Sequence, residues 1–233
     1  MWNKILQVLQ VILNISEVWA ILIPLLYLSV SKVNRAALKE IILYLWIALL
    51  LNLIIVILVH LPNFYTPERW RSLPLLLRAN AIEYNLHSII RVILFTFYFL
   101  RNSKDALQTV KKLILVSFLS FAAINFIFFE SPITLFSSRL FAVESVVMLF
   151  FCIYYYLNAI SEEKHKKVFQ QPMFWIVAGL SIYEAVSFCI FLTFTYLIKY
   201  YTSLAQHMWN FHNIGFIIFC LFITKAFYES KRQ

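Results

Sequence analysis

Three side chains able to do acid–base or ligand chemistry recur at four-residue spacing in one stretch: Glu83, His87 and Arg91, within residues 80–100. On an α-helix that spacing stacks them on one face. Asn80 falls one turn above Glu83. The ladder from Glu83 to Arg91 rises roughly 12 Å at about 1.5 Å per residue. The second half of the stretch, IleLeuPheThrPheTyrPheLeu, is apolar and completes the length of a membrane-spanning helix. A charged group at the bilayer centre costs about 2.5–3.5 kcal/mol on insertion scales. The ladder is therefore predicted to face other helices, and the remaining elements are what surrounds it.

Other apolar stretches also carry ionisable or polar groups: Glu17, Glu144, Glu184, and the pair His212 and Asn213. Three chemistries are open to such a set. Glu and His together bind Zn²⁺ or Fe, and Glu83, His87, Glu144 and His212 would be the ligands. No HExxH or HxxxH accompanies them. Carboxylates at unequal depth can pass protons. Carboxylates beside aromatic faces can hold a small polar or cationic ligand. No motif calls for a cofactor. Cys152, Cys189 and Cys220 all lie in apolar runs without a CxxC and read as small buried hydrophobes.

The chain has 233 residues, is 62% hydrophobic and carries a net charge of +9. A soluble domain is nearer 45–50% apolar. The excess recurs as continuous runs, which fit an all-α polytopic helix bundle and not the alternating pattern of a β-barrel. The expected architecture is one transmembrane domain, residues 1–233, with seven spans at about 8–30, 41–59, 80–100, 113–129, 140–160, 173–197 and 211–227. The N-terminal run has no small-residue cleavage site and reads as an uncleaved span. Residues 60–78 hold three prolines and several aromatics, which suit an interfacial connector able to cap the bundle. Residues 198–210 read as a polar, aromatic loop. Only Gly179 and Gly215 occur, with no GxxxG pair.

Seven spans put the termini on opposite sides. The loops on one side hold 13 Lys and Arg against 6 on the other. The positive-inside rule then places the N-terminus outside and the C-terminus in the cytoplasm. The basic residues lie in short loops without interleaved base-stacking aromatics, so nucleic acid is not an expected partner; the bilayer is. In that topology Glu17, Glu83, Glu144, His212 and Asn213 share the outer half, while Arg91 and Glu184 fall near the midplane. Two arrangements satisfy this. Arg91 can pair Glu184 or Glu83 in a dry bundle, or the groups can line a pocket open to the outside.

Seven spans invite comparison with rhodopsins and G-protein-coupled receptors. The last span has no mid-depth lysine for a Schiff base, since Lys225 lies at its cytoplasmic end, and neither Asp-Arg-Tyr nor Asn-Pro-x-x-Tyr occurs. The segments ProMetPheTrpIleValAlaGlyLeuSerIleTyrGlu (172–184) and TrpAsnPheHisAsnIleGlyPhe (209–216) resemble uncharacterised seven-transmembrane bacterial membrane proteins. That resemblance implies association with sensor histidine kinases and transfers no functional residue. The expected function is a multi-pass inner-membrane sensory or ligand-binding component with a cytoplasmic or membrane signalling partner. The alternatives are an intramembrane hydrolase, metal-dependent or not, and a proton- or ion-coupled transporter.

Overall fold

The computed structural model describes residues 10–60, 81–102, 108–133, 136–161 and 165–231. Asn80 and nearly all of the proline-rich connection lie outside these. Among the described residues the chain is helical and has no strand. The helices are α1 (Ser16–Val30), α2 (Lys39–His60), α3 (Ala81–Asn102), α4 (Gln108–Phe128), α5 (Ser138–Ser161), α6 (Pro172–Tyr200) and α7 (Thr202–Lys231). A 3₁₀ turn, His165–Gln170, precedes α6. Long apolar runs adopt this form because a helix satisfies its own backbone groups without water.

Five helices, α2 and α4 to α7, are long and apolar enough to cross a membrane. The 22-residue α3 is long enough but is not among the five; Glu83, His87, Arg91 and Arg101 lower its hydropathy. The 15-residue α1 is too short by itself. Residues 10–14 are also helical, however, and only the turn at Ile15 separates them from α1. That turn redirects the backbone bonds, with the amides of Val18 and Trp19 both donating to Ile15 O. Side chains take up neighbouring carbonyls: Asn213 Nδ2 donates to Leu13 O at 2.9 Å, and Trp19 Nε1 to Ile12 O at 2.9 Å. This is how a broken helix remains tolerable away from water.

The expected loop at 198–210 is not a loop. A single residue, Tyr201, separates α6 from α7, and residues 202–210 form the first turns of α7. Hydropathy marks the part of a helix that sits in lipid. Gln206, His207 and Asn210 lengthen the helix beyond that part.

The helices α1, α2, α3, α5, α6 and α7 pack in that order as a closed ring, with α1 returning to α7. The remaining helix, α4, lies outside and contacts only α3 and α5 among its substantial neighbours. Correspondingly it buries few residues, chiefly Lys111, Phe118, Ala122 and Asn125. A polar knot fixes the connection after it. Asn125 Nδ2 donates to Glu130 Oε2 at 2.9 Å and Ser137 Oγ at 3.0 Å, while Asn85 of α3 bonds Pro132 O and the Ser137 amide. At Gly179 the helices α6 and α7 approach closely: a Cβ there would lie 2.6 Å from Phe222 Cβ of α7. One small residue thus performs the function expected of a small-residue motif.

Candidate functional site

The centre of the ring is ionic. Arg91 on α3 is 2% exposed, while Glu144 on α5 and Glu184 on α6 are fully buried. Arg91 Nε donates to Glu144 Oε1 and lies 3.6 Å from Glu184 Oε1. Ser88 Oγ, three residues before Arg91, donates to Glu144 Oε2 at 2.6 Å. Ser145 Oγ donates to Glu184 Oε2 at 2.8 Å. Each carboxylate therefore holds one hydroxyl and shares one guanidinium. Of the two pairings expected for Arg91, that with Glu184 is present at the longer distance. Glu83 is not a partner; the closest carboxylate is Glu144. The reason is helix geometry: Glu83 stands two turns up the same helix, whereas α5 packs directly against α3.

The other face of Arg91 leads into a directed hydrogen-bond chain. Its NH1 donates to Tyr183 Oη at 2.6 Å, and the guanidinium carbon lies 4.9 Å from the Tyr183 ring centre. Tyr183 Oη is 3.2 Å from His212 Nε2, and His212 Nδ1 is 3.1 Å from Ser187 Oγ. Ser187 Oγ donates its only proton to Tyr183 O at 2.8 Å. His212 Nδ1–H must then be the donor to Ser187, which leaves Nε2 to accept from the Tyr183 hydroxyl. A single tautomer satisfies every bond in the chain.

Glu17, Asn52, Tyr84, His87, Arg91, Tyr183 and His212 line one enclosed cavity with Phe141, Phe191, Trp209 and Phe216. Its volume is about 10 Å³, room for roughly one water. His87 is 9% exposed, stacks on Tyr44 with ring centres 5.6 Å apart, and has no hydrogen-bond partner for Nε2 among the described residues. Glu17 is half-buried and lines the cavity beside Tyr84. One carboxylate, Glu17, lines the cavity with the guanidinium of Arg91, and two more, Glu144 and Glu184, pair Arg91 from behind.

A second space adjoins the first. A groove of about 370 Å³ runs between residues 10–14 and the α6–α7 junction, lined by Gln10, Asn14, Thr202, Gln206, His207, Trp209 and Asn210 with apolar neighbours. Trp209 lines both spaces and separates them. Its ring rests among Tyr84, Phe136, Phe191, Phe194 and His212 at centroid separations of 5.2–6.2 Å. This aromatic cluster closes the cavity at the end of the ring where α3 begins.

Of the eight polar positions expected at a site, Glu17, His87, Arg91 and His212 meet at the cavity, and Glu144 and Glu184 stand behind Arg91. Glu83 and Asn213 do not join them. Glu83 is half-buried with Oε2 unpartnered among the described residues, and Asn213 gives its Nδ2 to Leu13 O while its buried Oδ1 has no partner among the described residues. The four proposed metal ligands do not converge as a set: His87 and His212 both line the cavity, but Glu144 is held by Arg91 and Ser88, and His212 by Tyr183 and Ser187. Among the described residues, no three His, Cys, Asp or Glu side chains group to hold a metal ion. Tyr183, Tyr84, Trp209 and the three serines were absent from the sequence-level candidates. A signal for two of them was available, since Tyr183 and Ser187 are one helical turn apart beside Glu184.

No protein-family model, curated protein or solved structure matches the chain.

Proposed function

We propose that the chain is a multi-pass membrane protein with seven spans, sited in the inner (plasma) membrane of a bacterium, and that it acts as a ligand-binding or sensory component. Residues 10–30 and α3 supply the two spans beyond the five apolar helices. The first is bent at Ile15; the second turns its charges inward. With the N-terminus outside, the groove beside Trp209 opens to the exterior and the cavity lies behind it. Output passes to a signalling partner in the membrane or the cytoplasm.

The observation that supports the reading is a small aromatic-walled cavity lined by Glu17, where the neighbouring guanidinium of Arg91 is already held by Glu144 and Glu184. Uncompensated charge is costly at such depth. Carboxylates beside aromatic faces suit a small cation. The cavity as it stands admits an ammonium-sized occupant, and displacement of Trp209 would admit a larger primary amine. A ligand that binds only the folded state stabilises it by about 2.7 kcal/mol at 100 times its Kd. Thermal unfolding of the protein in nanodiscs, with ammonium, methylammonium, ethanolamine or sodium added, is expected to show such a rise for at least one cation. Glu17→Gln should abolish it. Wild-type protein indifferent to all four, or a variant stabilised equally, would refute the reading.

A further inference from the structure

The opposite end of the bundle carries a site with a different chemistry. A groove of about 650 Å³ lies between α2, α3 and α4, lined by Lys39, Glu40, Leu43, Phe97, Leu100, Arg101 and Lys112. Small-molecule sites span roughly 300–1,000 Å³. Its floor is apolar and open, with Leu43 49% and Phe97 50% exposed. Its rim is cationic, because the start of α2, the end of α3 and the start of α4 all meet at this level.

The rim charges are not equivalent. Arg101 NH1 donates to Ala36 O at 2.8 Å, its NH2 donates to Ala37 O, and NH2 also lies 2.6 Å from Glu40 Oε2. Arg101 is therefore committed to holding the α1–α2 connection against α3. Lys39 reaches Glu40 only at 3.9 Å and its side chain is 68% exposed. Lys112 is exposed as well. With Glu40 offset by Arg101, the rim presents Lys39, paired only loosely with Glu40, and the exposed Lys112 above an apolar trough.

We propose that this groove binds an anionic phospholipid, with the phosphate between Lys39 and Lys112 and an acyl chain along Leu43, Phe97 and Leu100. Charge complementarity and the joined polar and apolar parts favour a lipid over free phosphate, which would use the rim alone. The basic loops place this end at the cytoplasmic leaflet, where anionic lipids attract cationic side chains.

Native mass spectrometry of the detergent-purified protein, titrated with phosphatidylglycerol, cardiolipin or phosphatidylcholine of matched chains, tests this. Wild type should retain the anionic lipids at least tenfold more tightly than phosphatidylcholine. Each lysine near the surface contributes about 1 kcal/mol, so K39Q/K112Q should weaken anionic binding about 30-fold. L43W, which fills the trough and changes no charge, should also lower retention. K32Q/R35Q removes the same charge from the neighbouring connection and should alter binding less than threefold. Equal loss in K32Q/R35Q would show a diffuse basic surface and overturn the proposal. So would equal retention of phosphatidylcholine, tight binding of inorganic phosphate without lipid selectivity, or a dimer that occludes the groove in place of lipid. Unfolding temperatures of all variants separate lost binding from lost structure.

Discussion

Arg91→Met is the most informative single substitution. Methionine keeps much of the length and apolar bulk of arginine and removes the charge. Glu144 and Glu184, both fully buried, then lose their common cation, and Tyr183 Oη loses a donor at 2.6 Å. Breaking a buried pair by removing one member costs about 3–5 kcal/mol, and two carboxylates depend on this one. A neutral interhelical hydrogen bond in a membrane averages about 0.6 kcal/mol, so the ionic part dominates. Glu144→Gln is expected to cost less, about 1–3 kcal/mol, because Glu184 at 3.6 Å still balances Arg91, and the amide oxygen can accept from Arg91 Nε while the amide NH2 donates to Ser88 Oγ. The double variant should be more stable than the sum of the singles by at least 1 kcal/mol, since the carboxylate stranded by loss of the guanidinium is then replaced by a neutral amide. Equilibrium unfolding in mixed micelles, followed by circular dichroism, measures all three. Arg91→Met within 1 kcal/mol of wild type, or strict additivity in the cycle, would refute the central role assigned to this ion cluster.

The remaining expectations are simpler. Gly179→Ala should destabilise by about 1–3 kcal/mol, because its Cβ would meet Phe222 Cβ at 2.6 Å, whereas Gly215→Ala, with its nearest neighbour at 3.6 Å, should be nearly neutral; thermal melts of the two compare them. Asn213→Leu should cost about 1 kcal/mol through loss of the bond to Leu13 O, and hydrogen exchange at residues 10–18 should rise with it. Topology is checked with an impermeant thiol reagent on intact cells: Gln206→Cys should label and Asn34→Cys should not, and the reverse result would invert the assigned orientation.

Much of the fold is written in composition and local pattern. Continuous apolar runs can only be helices in lipid, so the helical segments follow from hydropathy to within a few residues for α2, α5 and α6. The start of α7 does not follow, because polar residues that extend a helix past the bilayer look like a loop. The four-residue spacing of Glu83, His87 and Arg91 predicts a shared face, which depends on a single helix; of the three, His87 and Arg91 line the cavity and Glu83 does not. Whether Arg91 meets Glu83, Glu144 or Glu184 is a property of helix order around the ring, and periodicity holds no record of that order. The same limit explains Trp209 and Tyr183, which read as ordinary aromatics until α6 and α7 bring them against α3. Asn213 reads as a site residue and proves to repair the break at Ile15, a relation between residues 200 apart. What sequence alone determined is which faces must be hidden from lipid. Which hidden groups touch was decided only by tertiary packing, since contact depends on the positions of several helices at once.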